Sequence, residues 1–281
     1  MDNTMNKIGI MQGRLSPQIG DKIQEFPWDT WKEEFSTAKE LGFDSIEFIV
    51  DGSKDYKENP LWNTPERITD VIKETGVQIN YVCADYFMEH PFFRVSNEEK
   101  KKSENILKEL IVICANLDIK GIEIPLVDNS KIETDEEMDQ LVEVLKRIIP
   151  DIEKHNIQIG LETSLDAKMF KKLLDTINHP LITANYDSGN SSSLGYDVKE
   201  EIDSYGEKIS NIHIKDRVLH GGTVSLGTGD ADFNRMFESL RDTSYKGDFI
   251  LQAARAEDGN EIENAKKNLD FVKKLINTYL V

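Results

Sequence analysis

The chain has 281 residues, 38% hydrophobic and 31% charged, which is the composition of a folded globular protein and argues against intrinsic disorder. Its 34 Lys and Arg stand against 52 Asp and Glu, a formal net charge of −18, so the average surface repels phosphate backbones and anionic lipid, and nucleic-acid binding would need a strong local exception. The longest apolar run, Leu110 to Ala115, is far shorter than the roughly 20 residues that cross a bilayer. The polar stretch Met1 to Lys7 lacks the pattern of a secretory signal, so the expectation is a cytoplasmic protein without membrane contact. Two cysteines, Cys83 and Cys114, are too few for a disulfide framework and read as small buried hydrophobes.

Short β-branched runs alternate with longer segments of helical period, the pattern of a parallel sheet with crossover helices. The first strand is expected at Lys7 to Met11, followed by a stripe of Trp28, Trp31, Phe35, Ala38 and Leu41 that stops at Gly42. Strands at Ser45 to Ile49 and Gln78 to Cys83 come next, then an aromatic loop of Tyr86, Phe87, His90, Phe92 and Phe93. Such rings either stack on a ligand or form a contact between copies of the chain, which would make it a homo-oligomer. Ser96 with Glu99 has capping-box spacing ahead of Ile106, Leu110, Cys114 and Leu117, and Thr134 with Glu137 repeats the device ahead of Met138, Leu141, Leu145 and Ile148, which predicts two helix starts. Between and beyond them lie strands at Gly121 to Pro125, Gln158 to Glu162, Ile182 to Tyr186, Ile209 to Ile214 and Phe249 to Gln252, and a last stripe runs Ile262, Ala265, Leu269, Val272, Ile276, Tyr279. Eight units of roughly 35 residues match the size of a (β/α)8 TIM barrel. A single domain over residues 1–281 is the economical reading, with a doubly wound open sheet as the competitor. The long segments 51–64, 84–95 and 216–231 all follow strands, the end where barrel active sites are built.

Polar residues interrupt the later strands. Glu162, Asp187, His213 and Gln252 fall at or near strand ends with gaps of 25, 26 and 39 residues, each about one β/α unit, so in a barrel their side chains converge. One such residue is more often an ordinary hydrogen-bonded strand end, but four in register are a hard-to-borderline ligand set for one divalent cation, Mn²⁺, Mg²⁺, Co²⁺ or Zn²⁺. A buried carboxylate without a partner costs several kcal/mol, which a cation at the barrel mouth would offset. Glu47 and Glu123 lie near strand ends as candidate substrate-binding groups, and Gln12, Arg14 and Arg255 are placed at the mouth. Lys215 and Arg217 could bind a substrate phosphate or carboxylate, or form a solvated loop pair. Gly227-Thr228-Gly229 lacks the P-loop lysine and reads as a turn leading to a helix capped near Asp230.

Ile10-Met11-Gln12-Gly13-Arg14-Leu15-Ser16-Pro17, Gly42-Phe43-Asp44-Ser45-Ile46-Glu47, Leu161-Glu162, Tyr186-Asp187-Ser188-Gly189-Asn190 and His213-Ile214-Lys215-Asp216, in this order, resemble the xylose isomerase-like barrels, and within them the sugar phosphate isomerase/epimerase group. The resemblance spans essentially the whole chain. It implies one divalent metal ion held by a Glu, an Asp, a His and a second Glu, a carbohydrate or sugar phosphate as substrate, and proton transfer next to a carbonyl through a metal-stabilised enediolate. Glu162, Asp187 and His213 match; Gln252 departs, because an amide can offer an oxygen to a metal but cannot act as a base. Glu162 is then the best single proton carrier, with Lys215 or His220 as partner. A dehydratase using one base, or a sugar-binding barrel without turnover, are the alternatives left open by Gln252. The DNA-cleaving branch fits poorly with five His in all and a charge of −18.

Overall fold

The strands are largely apolar runs buried on both faces, the pattern of a parallel sheet covered by helices. The computed structural model, which describes residues 6–281, shows the consequence. Strands β1 (Ile8–Met11), β2 (Ser45–Ile49), β3 (Tyr81–Cys83), β4 (Gly121–Leu126), β5 (Gln158–Thr163), β6 (Ile182–Asp187), β7 (Ile209–Ile214) and β8 (Asp248–Leu251) close into one barrel in sequential order. Each pairs in parallel with both neighbours, and β1 joins β8 through Ile8 beside Phe249 as well as β2 through Gly9 beside Ser45. That closure excludes the open sheet. Helices α1 (Glu33–Leu41), α2 (Pro65–Thr75), α3 (Asn97–Asn116), α4 (Asp135–His155), α5 (Ala167–Ile177), α6 (Val198–Tyr205), α7 (Phe233–Asp242) and α8 (Glu261–Tyr279) follow the strands in turn. Among the described residues no helix is long and apolar enough to cross a membrane.

Local signals are realised with small shifts. Both capping boxes form, Ser96 with Glu99 and Thr134 with Glu137, and Gly42 ends α1 in the left-handed conformation at φ +85°, which glycine adopts without strain. Trp28 and Trp31 precede α1 instead of lying on it. The third strand begins only at Tyr81, although Gln78 still bridges Ser45, and Gln252 lies one residue past β8. Ile262, at the start of the last stripe, is 49% exposed. The helix after the glycine-rich turn is capped by Asp232.

The aromatic loop is where the structure departs most from expectation. Tyr86, Phe87, Phe92 and Phe93 are all buried, so they are neither a ring-stacking surface nor an exposed contact between copies; His90 alone is exposed. The segment folds back against the barrel, with the Tyr86 amide donating to the Val50 carbonyl at 2.8 Å and the Phe87 and Phe92 rings 4.8 Å apart. Four rings, each hiding roughly 150–250 Å², drive the aromatic loop inward. The two cysteines are buried and free, as read.

Buried carboxyls outside the barrel also shape stability. Glu201 on α6 accepts hydrogen bonds from the hydroxyls of Tyr186 and Tyr205, each at 3.2 Å, and from Ser191. Burial nevertheless outweighs these bonds and pushes its carboxyl up to about 7. In the unfolded chain the group titrates near an ordinary value of about 4.3, so between the two values the folded state holds a proton that the unfolded state has lost. Stability therefore declines as pH rises across that window. Glu201→Gln keeps an acceptor and removes the titration, so denaturant melts of the variant at pH 5 and pH 8 should differ less than those of the parent; equal differences would show that Glu201 does not titrate in this range.

Candidate active site

The carboxyl ends of the strands open into a cavity of about 460 Å³ lined in part by Glu162, Lys215, Arg217, Asn190, Gln252, Arg14, Gln24, Cys83 and Asp85. Glu162, near the end of β5, is held by two amides: Asn190 donates to one carboxylate oxygen at 2.5 Å and Asn185 to the other at 3.2 Å. Asn190 in turn accepts from Arg217 at 2.9 Å, so the arginine fixes the amide that fixes the carboxylate. Two amides thus donate to Glu162, one to each oxygen, and fix the direction in which the carboxyl group faces the cavity.

His213 stands in the barrel interior with no exposed surface. Its Nε2 lies 3.1 Å from Glu47, whose second oxygen accepts from Asn211 at 2.8 Å. Its Nδ1 lies 3.1 Å from Glu162, in reach by distance but not aligned as a hydrogen bond. Burial alone would lower the imidazole pKa, yet the charges of Glu47 and Glu162 outweigh it and hold it well above its ordinary value.

The other expected ligands are engaged differently. Asp187 caps the short helix Ser188–Leu194 by accepting from the Gly189 and Asn190 amides, each at 2.8 Å, while its second oxygen pairs with Lys215 at 2.9 Å. Its burial would raise the carboxyl pKa, but Lys215 and His213 hold it below the usual range. Gln252 donates its amide to Gln24 at 3.0 Å and leaves its buried oxygen without a partner. Gln24 then donates to Asp85 at 2.8 Å. Asp85 is pushed up to about 6, by burial first and by the charges of Asp51 and Glu162 in addition.

The remaining sequence candidates divide by depth. Lys215, Arg217 and Arg14 line the cavity, whereas Glu47 and Glu123 lie beneath it, each 1% exposed. Arg14 and Arg255 bind main-chain carbonyls: Arg14 those of Ala253 and Ile23, Arg255 those of Gly13, Ser16 and Ile23. The two guanidiniums tie the loop after β1 to the loop after β8. Gln12 is buried and accepts from the Ile49 amide at 3.0 Å. His220 is exposed on the turn of a two-stranded hairpin, Asp216–Arg217 with Thr223–Val224. The glycine-rich turn wraps a carboxylate of this chain instead of an external anion, since Asp216 accepts from the amides of Gly227, Gly229 and Ala231. A side chain at Gly229 would collide with that carboxylate.

Sequence reasoning missed Asn185, Asn190, Gln24 and Asp85. Asn190 sits within the motif Tyr186-Asp187-Ser188-Gly189-Asn190 and was the one with a signal; the other three depend on which loops the barrel brings together. Several buried acceptors lack hydrogen-bond partners: both oxygens of Glu123, and the side-chain oxygens of Asn185, Asn211 and Gln252. Buried polar groups are normally satisfied, so an interior with surplus acceptors beside an imidazole nitrogen suits a bound cation.

Strand-end polar groups gathered under a cavity at one rim are the shared design of (β/α)8-barrel enzymes, and this molecule is built as one. Residues 35–275 match the xylose isomerase-like TIM barrel family, and the chain belongs to that family. It is 28% identical over 271 residues to a Haemophilus influenzae protein provisionally assigned as L-ribulose-5-phosphate 3-epimerase SgbU, covering 88% of each chain. It is 24% identical over 255 residues to L-ribulose-5-phosphate 3-epimerase UlaE of Escherichia coli, covering 87% of this chain and 89% of the relative. Among solved structures the fold matches the IolI protein with a bound zinc atom, at a TM-score of 0.77 and 16% identity over 98% of this chain and 99% of the other. It also matches D-psicose 3-epimerase of Clostridium cellulolyticum with D-tagatose, at 0.75 and 16% over 96% and 99%.

Proposed function

We propose that this chain is a divalent-metal-dependent isomerase or epimerase of a sugar or sugar phosphate, in which Glu162 moves a proton on the carbon next to the carbonyl. The observation that carries this reading is the placement of Glu162: it lines the cavity and is fixed by Asn185 and Asn190, beside His213. The named relatives, one an L-ribulose-5-phosphate 3-epimerase and the other provisionally assigned as one, support the substrate class. His213 and Glu162, together with the unpartnered oxygen of Gln252, are the groups that would hold the cation. Asp187 would join them once released from Lys215. Mn²⁺, Mg²⁺, Co²⁺ and Zn²⁺ all suit such oxygen and nitrogen donors. A divalent cation bound there would supply Lewis acidity, drawing charge from the carbonyl as the proton leaves.

The chain's own groups do the rest. Glu162 takes the proton, and the amides of Asn185 and Asn190 keep its oxygens pointed. Lys215, at the rim of the cavity and 2.9 Å from Asp187, places an ammonium where negative charge develops on the substrate. Arg217 orients Asn190 and stands ready for a phosphate or hydroxyl group. Gln252 cannot receive a proton, so a reaction needing a second carboxylate at that position is not served by it. That feature favours a dehydratase as the second reading, in which one base suffices and a hydroxyl β to the carbonyl departs.

Incubation in D₂O with ketoses, their phosphates and inososes, with the protein loaded with Mg²⁺ or Zn²⁺ and followed by NMR, tests both. Deuterium beside the carbonyl with a new epimer or isomer is the expected result. A dehydrated product would move the chain to the lyases, and binding without exchange across the panel would make it a sugar-binding barrel.

A further inference from the structure

We infer that Glu123 is a metal ligand of this chain, and that its divalent cation is held inside the barrel by Glu123, Glu162 and His213. The inference rests on the reading that the chain binds a divalent cation at all, and it changes which side chains do so. Glu123 is 1% exposed and neither of its carboxylate oxygens has a hydrogen-bond partner. The neighbouring Cys83 thiol has a single hydrogen, and it is directed at Asp85 at 3.3 Å. An isolated buried carboxylate is costly enough that it must either keep its proton or acquire a cation.

Geometry favours the cation. One donor atom each from Glu123, Glu162 and His213 lies within 4.8 Å of the others. Three ligands sharing one metal at about 2.0–2.2 Å lie roughly 3.3–3.6 Å from one another in tetrahedral geometry, so the three side chains need to draw together by no more than about 1–1.5 Å. Once the cation displaces the proton that the neighbouring carboxylates hold on His213, two carboxylates and a neutral imidazole carry a charge of −2, which matches a divalent ion. His213 is prepared for the part: Nε2 is turned to Glu47, itself fixed by Asn211, the outer-shell carboxylate that commonly orients a metal-bound histidine. Nδ1 is thereby left facing Glu162 with no aligned hydrogen bond.

The strand-end set is correspondingly depleted. Gln252 is uncharged with its amide tied to Gln24, and Asp187 is bound to Lys215 and two main-chain amides. In the parallel register Glu123 pairs with Gly160, whereas Glu162 pairs with Pro125 two residues further on. The carboxylate charge missing at Gln252 thus reappears two residues deeper in the barrel.

Isothermal titration of the metal-stripped protein with Mn²⁺ tests this, with Glu123→Gln and Glu162→Gln as variants. Both should lose affinity at least tenfold, the lower bound for disturbing a metal's supporting residues. The parent should melt at a higher temperature with Mn²⁺ than with EDTA, and Glu123→Gln should not. In EDTA the Glu123→Gln variant should melt no lower than the parent, because it removes a buried charge and keeps the side-chain shape. Should that variant fail to fold, anomalous diffraction from Mn²⁺-loaded crystals of the parent decides, with the peak expected within bonding distance of Glu123. Unchanged Mn²⁺ affinity in Glu123→Gln with loss in Glu162→Gln, or a peak bonded to Glu162, Asp187, His213 and Gln252 but not Glu123, overturns the inference and leaves the proposed function standing. No Mn²⁺ binding by the parent defeats both.

Discussion

Glu162→Gln is expected to abolish deuterium exchange into the substrate, lowering its rate by roughly 10²–10⁴-fold, the usual contribution of a positioned acid or base. The substitution is nearly isosteric. One side-chain oxygen can still accept from Asn185 or Asn190, so the fold should persist, and circular dichroism melts of parent and variant in EDTA should nearly coincide. Loss of exchange with an intact melt assigns the proton to Glu162. An exchange rate within a few-fold of the parent, in a variant shown to be metal-loaded, would take that role away and direct attention to Asp85. The Asp85 carboxyl shares the cavity and, with its titration near 6, could exchange a proton at neutral pH.

Phe92→Ala should be among the most destabilising single substitutions in the molecule, costing about 3–5 kcal/mol as expected for deleting a buried ring. For a chain of this size that corresponds to a fall in melting temperature of roughly 5–15 °C. Phe92 has no exposed surface and packs its ring against Phe87, on a segment pinned to the barrel through Tyr86. Differential scanning calorimetry of the metal-free protein gives the value directly. An unchanged melt, accompanied by weaker sugar binding or by dissociation of an oligomer, would return the segment to the ligand-cap or contact role that its composition suggests.

These two positions show how differently the chain can be read. Glu162 was legible because an acid ends an otherwise apolar strand, and burial of an acid needs a reason. Its supports were not, because Asn185 and Asn190 are ordinary polar residues until β6 and its short helix bring them to the same carboxylate. Asp187 and Gln252 were correctly located at the end of β6 and just past β8, on either side of β7, but position on a strand does not say what a side chain bonds. Asp187 is claimed by Lys215 and a helix start, Gln252 by Gln24 from a loop 228 residues earlier in the chain. Arg14 and Arg255 look like substrate-binding cations in a mouth sequence, yet in the folded chain they bind carbonyls that no local pattern reveals.

The order of strands and helices, the capping boxes and the parallel barrel followed from the sequence, because apolar periodicity and helix-start chemistry act between residues a few positions apart. Whether the aromatic loop turns inward or stays exposed, which carboxylate faces His213, and which acceptors are left without partners were decided only by the closed barrel. Those outcomes depend on contacts between residues far apart in the chain, and on a desolvation cost that is defined only once the surrounding strands are in place.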